Sequence, residues 1–237
     1  MQKASDIEIW HWPLHFADEA AREQHAAILS TDETHRARKL LSTRHRDEFI
    51  AARAGLRRIL AGALNTTTET LVFSYGPHGK PVLETQTNEP SLHFNIAHSG
   101  GQAALALSPN NEVGIDIEQH RDIDIRIAKR FFTAREWQII STAKGTRQQE
   151  LFFRCWVLKE AVLKTTGEGI QRGLDSFDVS LDDLPARILQ IDGCEKTAAQ
   201  WHLHTFSLAP DIPGALAIEN SGNAIEVSTK PWSLTET

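Results

Sequence analysis

The most apolar helical stretch of the sequence, residues 149–165, constrains the fold more than any other segment. Its apolar side chains leave little of the helix for water, so other elements must cover it; they are Phe152, Phe153, Val157, Leu158, Ala161, Val162 and Leu163. Residues i and i+4 share a helix face, which aligns Trp156, Glu160 and Lys164. Lys159 lies beside them. One interpretation is an exposed i, i+4 pair of Glu160 and Lys164, which would contribute only about 0.3–0.5 kcal/mol to stability. Charges on so apolar a helix are more typical of a cleft wall.

Two carboxylates occupy a second apolar segment, Gly114-Ile115-Asp116-Ile117-Glu118, which is predicted to be a strand. Residues i and i+2 point to the same face of a strand, so Asp116 and Glu118 project together. Such close carboxylates repel each other unless a cation lies between them. Oxygen ligands favour a hard ion such as Mg2+. The alternative is a solvated strand end, because Asp-x-Glu by itself is a common pattern.

Together, the two charged segments suit phosphoryl-group chemistry. Asp116 and Glu118 predict a Mg2+ site. Glu160 is a candidate for a third metal ligand or for a general base. Lys164 is a candidate for neutralising the charge that develops on a phosphate.

The composition is that of a globular protein with one large domain or two small ones: 237 residues, 41% hydrophobic, net charge -6. The acidic balance argues against general nucleic-acid binding. No apolar run approaches the length of a membrane span, and residues 1–12 lack the pattern of a secretory signal. Cys155 and Cys194 are the only cysteines, which is typical of reduced thiols. We therefore expect a cytoplasmic protein.

Helical and strand patterns follow one another in an order that predicts an α+β fold. One helical tract covers residues 30–64. A second comprises residues 125–132 and 134–143, and the apolar helix 149–165 follows it; strand-like segments come after each group of helices. Besides residues 113–118, the predicted strands are residues 7–12, 71–75, 92–96, 103–107, 177–181, 187–191, 201–208 and 215–218. The order helix and then several strands thus occurs twice.

Two segments support an internal repeat. Residues 94–107 and 206–218 share the order strand, turn and Ala/Leu-rich strand. The chain is therefore predicted to consist of two similar α+β halves, residues 1–112 and 113–237, which pack as a pseudo-dimer. The seam between the halves, near Asp116, is the predicted location of the active site.

Basic residues that could hold a polyanion crowd the first helical tract. They are Arg36, Arg38, Lys39, Arg44, Arg46, Arg53, Arg57 and Arg58. The alternative for many of them is a solvated helix face. Lys80 lies in a Gly-Lys-Pro turn that Pro81 stiffens. His98 and Ser99 follow a strand in a glycine-rich loop, which is a suitable place for phosphate contacts.

Four motifs in this order resemble those of the Sfp-type 4'-phosphopantetheinyl transferases. They are residues 79–81 (GKP), 94–99 (FNIAHS), 114–118 (GIDIE) and 156–164 (WVLKEAVLK), and the following KTTGEG fits as well. The resemblance covers about residues 30–181, and the last two motifs are specific at this spacing. It implies a two-lobed enzyme that transfers the phosphopantetheine arm of coenzyme A to a serine of an apo acyl or peptidyl carrier protein. The other product would be 3',5'-ADP.

The resemblance also implies residue roles. The ligands of Mg2+, or of Mn2+, would be Asp116, Glu118 and Glu160. Glu160 is also a candidate base for the carrier serine, directly or through water. Lys164 would contact the phosphate that is attacked. The residues that contact coenzyme A would be Lys80, His98, Ser99, Arg36, Arg53 and Lys159.

We also expect a monomer that binds neither nucleic acid nor membrane. It is expected to activate carrier proteins for secondary metabolite biosynthesis. Residues 122–149 are expected to form part of the carrier dock, with Phe131 and Phe132 exposed. Two positions depart from the family pattern: Ala97 replaces a common Ser, and Glu33 replaces a basic residue of some members.

Two other functions use similar residues. A Mg2+-dependent nuclease or phosphohydrolase would share the acids and the basic helix, but the nuclease pattern has a lysine two residues after an acid on a strand. Here Lys159 precedes Glu160, and Lys164 follows it by four residues on a helix. A non-catalytic binding module would have no need of three acids at these positions.

Overall fold

Two long helices cover the outer faces of two sheets in this computed structural model, which describes residues 5–76, 79–84, 92–167, 173–219 and 225–234. In chain order, the helices are α1 (Glu19–Ala26), α2 (Thr31–Lys39), α3 (Thr43–Leu64), α4 (Ile127–Phe131), α5 (Ala134–Thr142), α6 (Gly145–Thr166) and α7 (Glu195–Ala198). The strands are β1 (Ser5–Pro13), β2 (Phe73–Tyr75), β3 (Pro81–Leu83), β4 (His93–Ser99), β5 (Gln102–Ser108), β6 (Val113–Ile117), β7 (Phe177–Val179), β8 (Ile188–Ile191), β9 (Trp201–Ala209), β10 (Ile212–Glu219) and β11 (Ile225–Pro231).

The strands form two main sheets and two small ones. The first main sheet has the strand order β11-β1-β5-β4, and the second has the order β6-β10-β9. Only the pair β1 and β11 is parallel within these two sheets; the other pairs are antiparallel. The hairpins β2-β3 and β7-β8 form the small sheets.

Both main sheets are buried on both faces, because alternate residues of a strand point in opposite directions. In β5, Leu105 packs with α3, whereas Ala104 and Ala106 pack against the second sheet. In β10, Ala217 packs with α6, whereas Leu216 packs against the first sheet. The layers therefore follow the order α3, first sheet, second sheet, α6.

Local signals set the ends of the two long helices. The Ser42 hydroxyl accepts a hydrogen bond from the His45 N–H at the start of α3, and Asn65 ends that helix at a φ of 50°. Gly167 ends α6 at a φ of 72°. The predicted helical tract at residues 30–64 is interrupted, because the chain turns extended at Leu40 between α2 and α3. Among the described residues, no helix is both long enough and apolar enough to span a bilayer.

The predicted α+β fold is confirmed, and each predicted strand is present with somewhat different ends. The elements that were not predicted are α1, α7, β3 and β11. β11 comes from the second half of the sequence and pairs with β1, where Trp232 packs edge-on against Trp12. The division at residue 112 and the internal symmetry stay predictions, and β11 crosses that division.

Phe132 is buried, which contradicts the expectation of an exposed Phe131-Phe132 pair. Only 4% of Phe132 is exposed, and its ring centroid lies 5.5 Å from that of Phe152 and 6.1 Å from that of Trp156. Phe131 is half-buried against the same core. The pair therefore belongs largely to the packing around α6.

Gly114 allows α6 to lie directly on β6. A Cβ atom added at this position would lie 2.1 Å from the Ala161 carbonyl oxygen and 2.4 Å from the Thr165 nitrogen. Both atoms belong to the helix backbone, so they cannot move aside as a flexible side chain could. The close contact carries the helix past Asp116, two residues further along the strand.

Replacing Gly114 by alanine is expected to destabilise the protein by about 3 kcal/mol, the upper end of the usual range for overpacking, because the new methyl group would push the helix off the strand. The free energy of unfolding in urea measures this change. Gly62→Ala is the matched control: Gly62 lies within α3, and an added Cβ there meets no atom within 4 Å. It should stabilise the protein by about 0.5–1 kcal/mol through helix propensity. Equal effects of the two substitutions would contradict this account of the packing.

Candidate active site

A cavity of about 1120 Å3 opens between the first half of the chain and the end of α6. It is lined by Arg36, Lys39, Leu40, His45, Glu48, Phe49, Ala52, Arg53, Tyr75, Gly79, Lys80, Pro81, Asn95, Ile96, His98, Glu160, Leu163, Lys164 and Gly167. Five of these residues are lysine or arginine and two are glutamate. The wall is therefore basic although the whole chain is acidic, and such a wall attracts anions.

Asp116 and Lys164 form an ion pair beside this cavity. Ile115 and Ile117 face the first sheet, so the intervening Asp116 faces α6. Its Oδ1 accepts a hydrogen bond of 2.6 Å from the Lys164 ammonium, and its Oδ2 has no partner among the described residues. Burial raises the pKa of Asp116 to about 7 against the opposing effect of Lys164, and the charges of Glu160 and Glu118 raise it further.

Glu160 and Glu118 complete the acidic group. Glu160 Oε1 is buried without a partner in the described part of the chain, and burial raises the pKa of this carboxyl while Lys164 opposes the shift. Glu118 accepts hydrogen bonds of 3.0 Å from the Ser99 hydroxyl and 2.8 Å from the Arg121 guanidinium. The predicted acids are thus close enough to influence one another electrostatically.

The donor set fits a hard divalent cation. Asp116 Oδ2 and Glu160 Oε1 are buried carboxylate oxygens without partners among the described residues, and such atoms are destabilising unless a cation or a hydrogen-bond donor satisfies them. Within the described residues, however, no three potential ligand side chains are already gathered as an ion would hold them. Asp116 Oδ1 accepts a hydrogen bond from the Lys164 ammonium.

The arginines predicted to contact coenzyme A both reach the cavity, but in different environments. The Arg36 guanidinium lies 4.5 Å from the centroid of the Tyr75 ring, and Arg36 is exposed. Arg53 is 7% exposed and pairs with Glu33, to which its Nε donates at 2.6 Å. Glu33 also accepts from Arg57. Burial alone would raise the pKa of Glu33, but the two guanidinium groups hold it below its usual value.

His98 and Lys80 line the cavity, whereas Ser99 lies just outside its wall. The Ser99 hydroxyl donates to Glu118 and accepts from the Gln119 N–H at 3.0 Å. Ser99 therefore orients one of the acids and is not among the residues that line the cavity.

Lys159 is not placed with the other predicted site residues. Its side chain is fully buried, and the ammonium lies 2.9 Å from Glu136 Oε1. It also donates to the carbonyl oxygens of Leu174 and Phe177. The prediction that Lys159 contacts coenzyme A has no support in this geometry, because its three donors are taken within the core.

Several cavity residues were not identified from the sequence. The most informative is Asn95, which is 4% exposed and accepts a hydrogen bond of 2.9 Å from the Ile115 N–H through its side chain. It joins β4 to β6. His45, Phe49 and Tyr75 also line the cavity. Of these four residues, only Asn95 lies in a motif, and motif membership was the one signal that could have indicated it.

Replacing Lys159 by methionine should lower the free energy of unfolding by about 3–5 kcal/mol, because Glu136 would remain buried without its partner. Arg187→Met is the control. Arg187 is also paired with an acid, Asp183, but both side chains are exposed, so its loss should change stability by less than about 1 kcal/mol. Urea unfolding of both variants tests the difference. A loss below 1 kcal/mol for Lys159→Met would contradict a structural role.

The stability of the metal-free protein should report the raised pKa of Asp116. The folded protein holds the Asp116 proton more tightly than the unfolded chain, so this group favours the fold at low pH. That contribution is lost as the pH rises from about 4 to about 7. Asp116→Asn cannot lose a proton, so its stability relative to the unsubstituted protein should rise over this range, by at most about 4 kcal/mol.

Urea unfolding in the presence of a chelator at several pH values measures this difference. Asp183→Asn is the control, because the exposed Asp183 pairs with Arg187, which lowers its pKa. Its pH dependence should be slight and of opposite sign. A flat difference for Asp116→Asn between pH 4 and 7 would contradict the raised pKa.

Comparison with known proteins yields one family over nearly the whole chain. Residues 112–218 match the family model of the 4'-phosphopantetheinyl transferase superfamily, and residues 18–110 match that of the 4'-phosphopantetheinyl transferase N-terminal region. The first matched region contains the acidic group and Lys164, and the second contains Arg36, Lys39, Arg53 and Lys80 of the cavity wall.

Individual relatives agree with the family models. The chain is 35% identical over 222 residues to 4'-phosphopantetheinyl transferase HetI of Nostoc sp., which covers 92% of this chain and 89% of the relative. It is 37% identical over 155 residues to 4'-phosphopantetheinyl transferase psf-1 of Bacillus pumilus, covering 65% and 64%. It is 28% identical over 159 residues to 4'-phosphopantetheinyl transferase Sfp of Bacillus subtilis, covering 67% and 69%. The chain belongs to the 4'-phosphopantetheinyl transferase family of enzymes.

Proposed function

We propose that this enzyme transfers the 4'-phosphopantetheine arm of coenzyme A to a serine of an apo acyl or peptidyl carrier protein in a Mg2+-dependent reaction. The serine oxygen would bond to the phosphorus next to the pantetheine arm. The bond from that phosphorus to the bridging oxygen would break, and 3',5'-ADP would leave. The single observation that carries the proposal is the basic cavity that ends at Glu160 and Lys164.

The charge of the cavity suits coenzyme A, which carries a pyrophosphate and a 3'-phosphate. Arg36, Arg53 and His98 lie along one continuous wall with Lys164. Arg36 and Tyr75 also offer a cation and an aromatic face, to which a purine ring can stack. These contacts support binding of the adenosine end in the first half of the chain.

Lys164 and Glu160 have properties that suit the chemical step. The Lys164 ammonium lies in the cavity wall and is 31% exposed, so it can balance charge on the phosphate under attack. Burial raises the pKa of Glu160 above its usual value, which favours its acting as a base for the serine proton, directly or through water.

Asp116, Glu118 and Glu160 would hold the Mg2+ ion. The two unsatisfied carboxylate oxygens described above support this assignment. When bound, the ion supplies positive charge that neutralises the phosphate oxygens. Glu118 is kept in place by Ser99 and Arg121, so the Ser99 hydroxyl contributes by orienting a ligand.

The remaining proposals concern the setting of the reaction. We expect a cytoplasmic monomer that serves carrier proteins of secondary metabolism. The part of residues 122–149 that stays exposed remains a proposed carrier dock, although Phe132 cannot contribute while it is buried.

Incubation with coenzyme A, Mg2+ and an apo carrier protein should increase the carrier mass by one phosphopantetheine group, as measured by mass spectrometry. Asp116→Asn should lower the rate by about a hundredfold or more, because it removes a charge that the site needs. Asp183→Asn is the matched control, since Asp183 is an exposed acid away from the cavity, and it should retain full activity. Absence of any mass gain with several carriers, with or without Mg2+, would refute the proposed function.

A further inference from the structure

We propose that Lys80 is a positioning residue, which holds the last turn of α6 and thereby places Lys164 for the transfer step. The inference rests on the proposed function, because the transfer step is what gives the position of Lys164 its importance. It replaces the expectation that Lys80 serves mainly to bind a phosphate of coenzyme A.

The Lys80 ammonium has acceptors in the protein for all three of its donors. It lies 3.0 Å from the Lys164 carbonyl oxygen, 3.3 Å from that of Thr165 and 3.3 Å from Glu112 Oε2. A lysine ammonium has three N–H groups and no more. A phosphate could gain a hydrogen bond from Lys80 only if one of these acceptors lost its own.

Two of the acceptors, the carbonyl oxygens of Lys164 and Thr165, lie in the last turn of α6, where the helix backbone supplies no hydrogen-bond donors. The last four carbonyl oxygens of a helix lack an intrahelical donor, and the negative end of the helix dipole lies there. The Leu163 carbonyl receives the Gly167 N–H, and within the described part of the chain Lys80 is the donor to the carbonyls of Lys164 and Thr165. Lys80 supplies that donor together with a positive charge, so it stabilises the turn that carries Lys164.

The described backbone next to Lys80 makes hydrogen bonds of its own. The Lys80 carbonyl oxygen accepts a hydrogen bond of 3.0 Å from the Gly76 N–H, and the Gly79 N–H donates to the Gly76 carbonyl at 2.9 Å. Gly79 has a φ of 79°, which side-chain-bearing residues rarely adopt. Pro81 fixes the following φ angle. The described backbone next to Lys80 is therefore hydrogen-bonded and restricted in φ, which favours a defined position for a residue that supports α6.

The contact also joins the two sides of the cavity. Lys80 comes from the turn before β3 in the first half of the sequence, and the last turn of α6 belongs to the second half. Lys164 then continues from the supported turn to Asp116. Loss of Lys80 should therefore misplace the catalytic ammonium while leaving the other cavity cations where they are.

Lys80→Met should speed amide hydrogen exchange in a peptide covering residues 160–167 by about tenfold, because the supported turn would open more often. This measurement needs neither coenzyme A nor carrier protein. Lys39→Met is the matched control, since Lys39 also lines the cavity but lies at the end of α2. It should leave exchange in this peptide unchanged.

Steady-state kinetics supply the second readout. Lys80→Met should lower kcat by about ten- to a hundredfold and change the KM for coenzyme A by less than about twofold. Lys39→Met should instead raise that KM, with kcat nearly unchanged. Lys80→Arg should recover most of the lost kcat, because a guanidinium group can donate to both carbonyl oxygens.

Two results would overturn the inference. One is unchanged exchange in residues 160–167 of Lys80→Met. The other is a loss expressed in the KM for coenzyme A with kcat retained, which would make Lys80 a phosphate ligand. If the unsubstituted protein transferred nothing to any carrier, the proposed function would fail, and the exchange experiment would still decide whether Lys80 holds the helix end.

Discussion

The direct contact between α6 and β6 is the constraint on which the candidate site depends. Gly114 has no side chain, and the space that a Cβ would need is filled by the backbone of α6 at Ala161 and Thr165. Because the helix lies so close, Lys164 reaches Asp116 from the neighbouring turn. The same contact buries the Asp116 carboxylate, which raises its pKa and, within the part of the chain that the structure describes, leaves one oxygen without a partner. The contact between α6 and β6 therefore accounts both for the packing at Gly114 and for the raised pKa of Asp116.

The positive charges of this chain divide into those that support the fold and those that face the cavity. Lys159 and Arg57 are buried and bind Glu136 and Glu33, so they hold helices and turns in place. Arg36 and Lys164 lie in the cavity wall. Buried ion pairs such as those of Lys159 and Arg57 add little stability over an apolar core, but the loss of one partner is strongly destabilising. Buried ion pairs that do not line the cavity therefore help to hold the elements that carry the site.

Much of the fold was predictable because strands and amphipathic helices have different periods of burial. Short or weakly patterned elements escaped prediction. β11 alternates half-buried and exposed residues, and it is held by pairing with β1, more than 200 positions away. Phe132 reads as exposed in sequence, yet it is buried because Phe152 and Trp156 pack against it. No local pattern records a partner so distant along the chain.

By itself, the sequence determined the α+β class and indicated Asp116, Glu118, Glu160 and Lys164 as candidates, because i, i+2 and i, i+4 spacings express strand and helix geometry directly. Only the tertiary structure decided which charges face one another. Lys159 and Lys164 are both lysines of one motif, but one points into the core at Glu136 and the other into the cavity wall. The physical reason is that the direction of a side chain has meaning only relative to what packs against its helix.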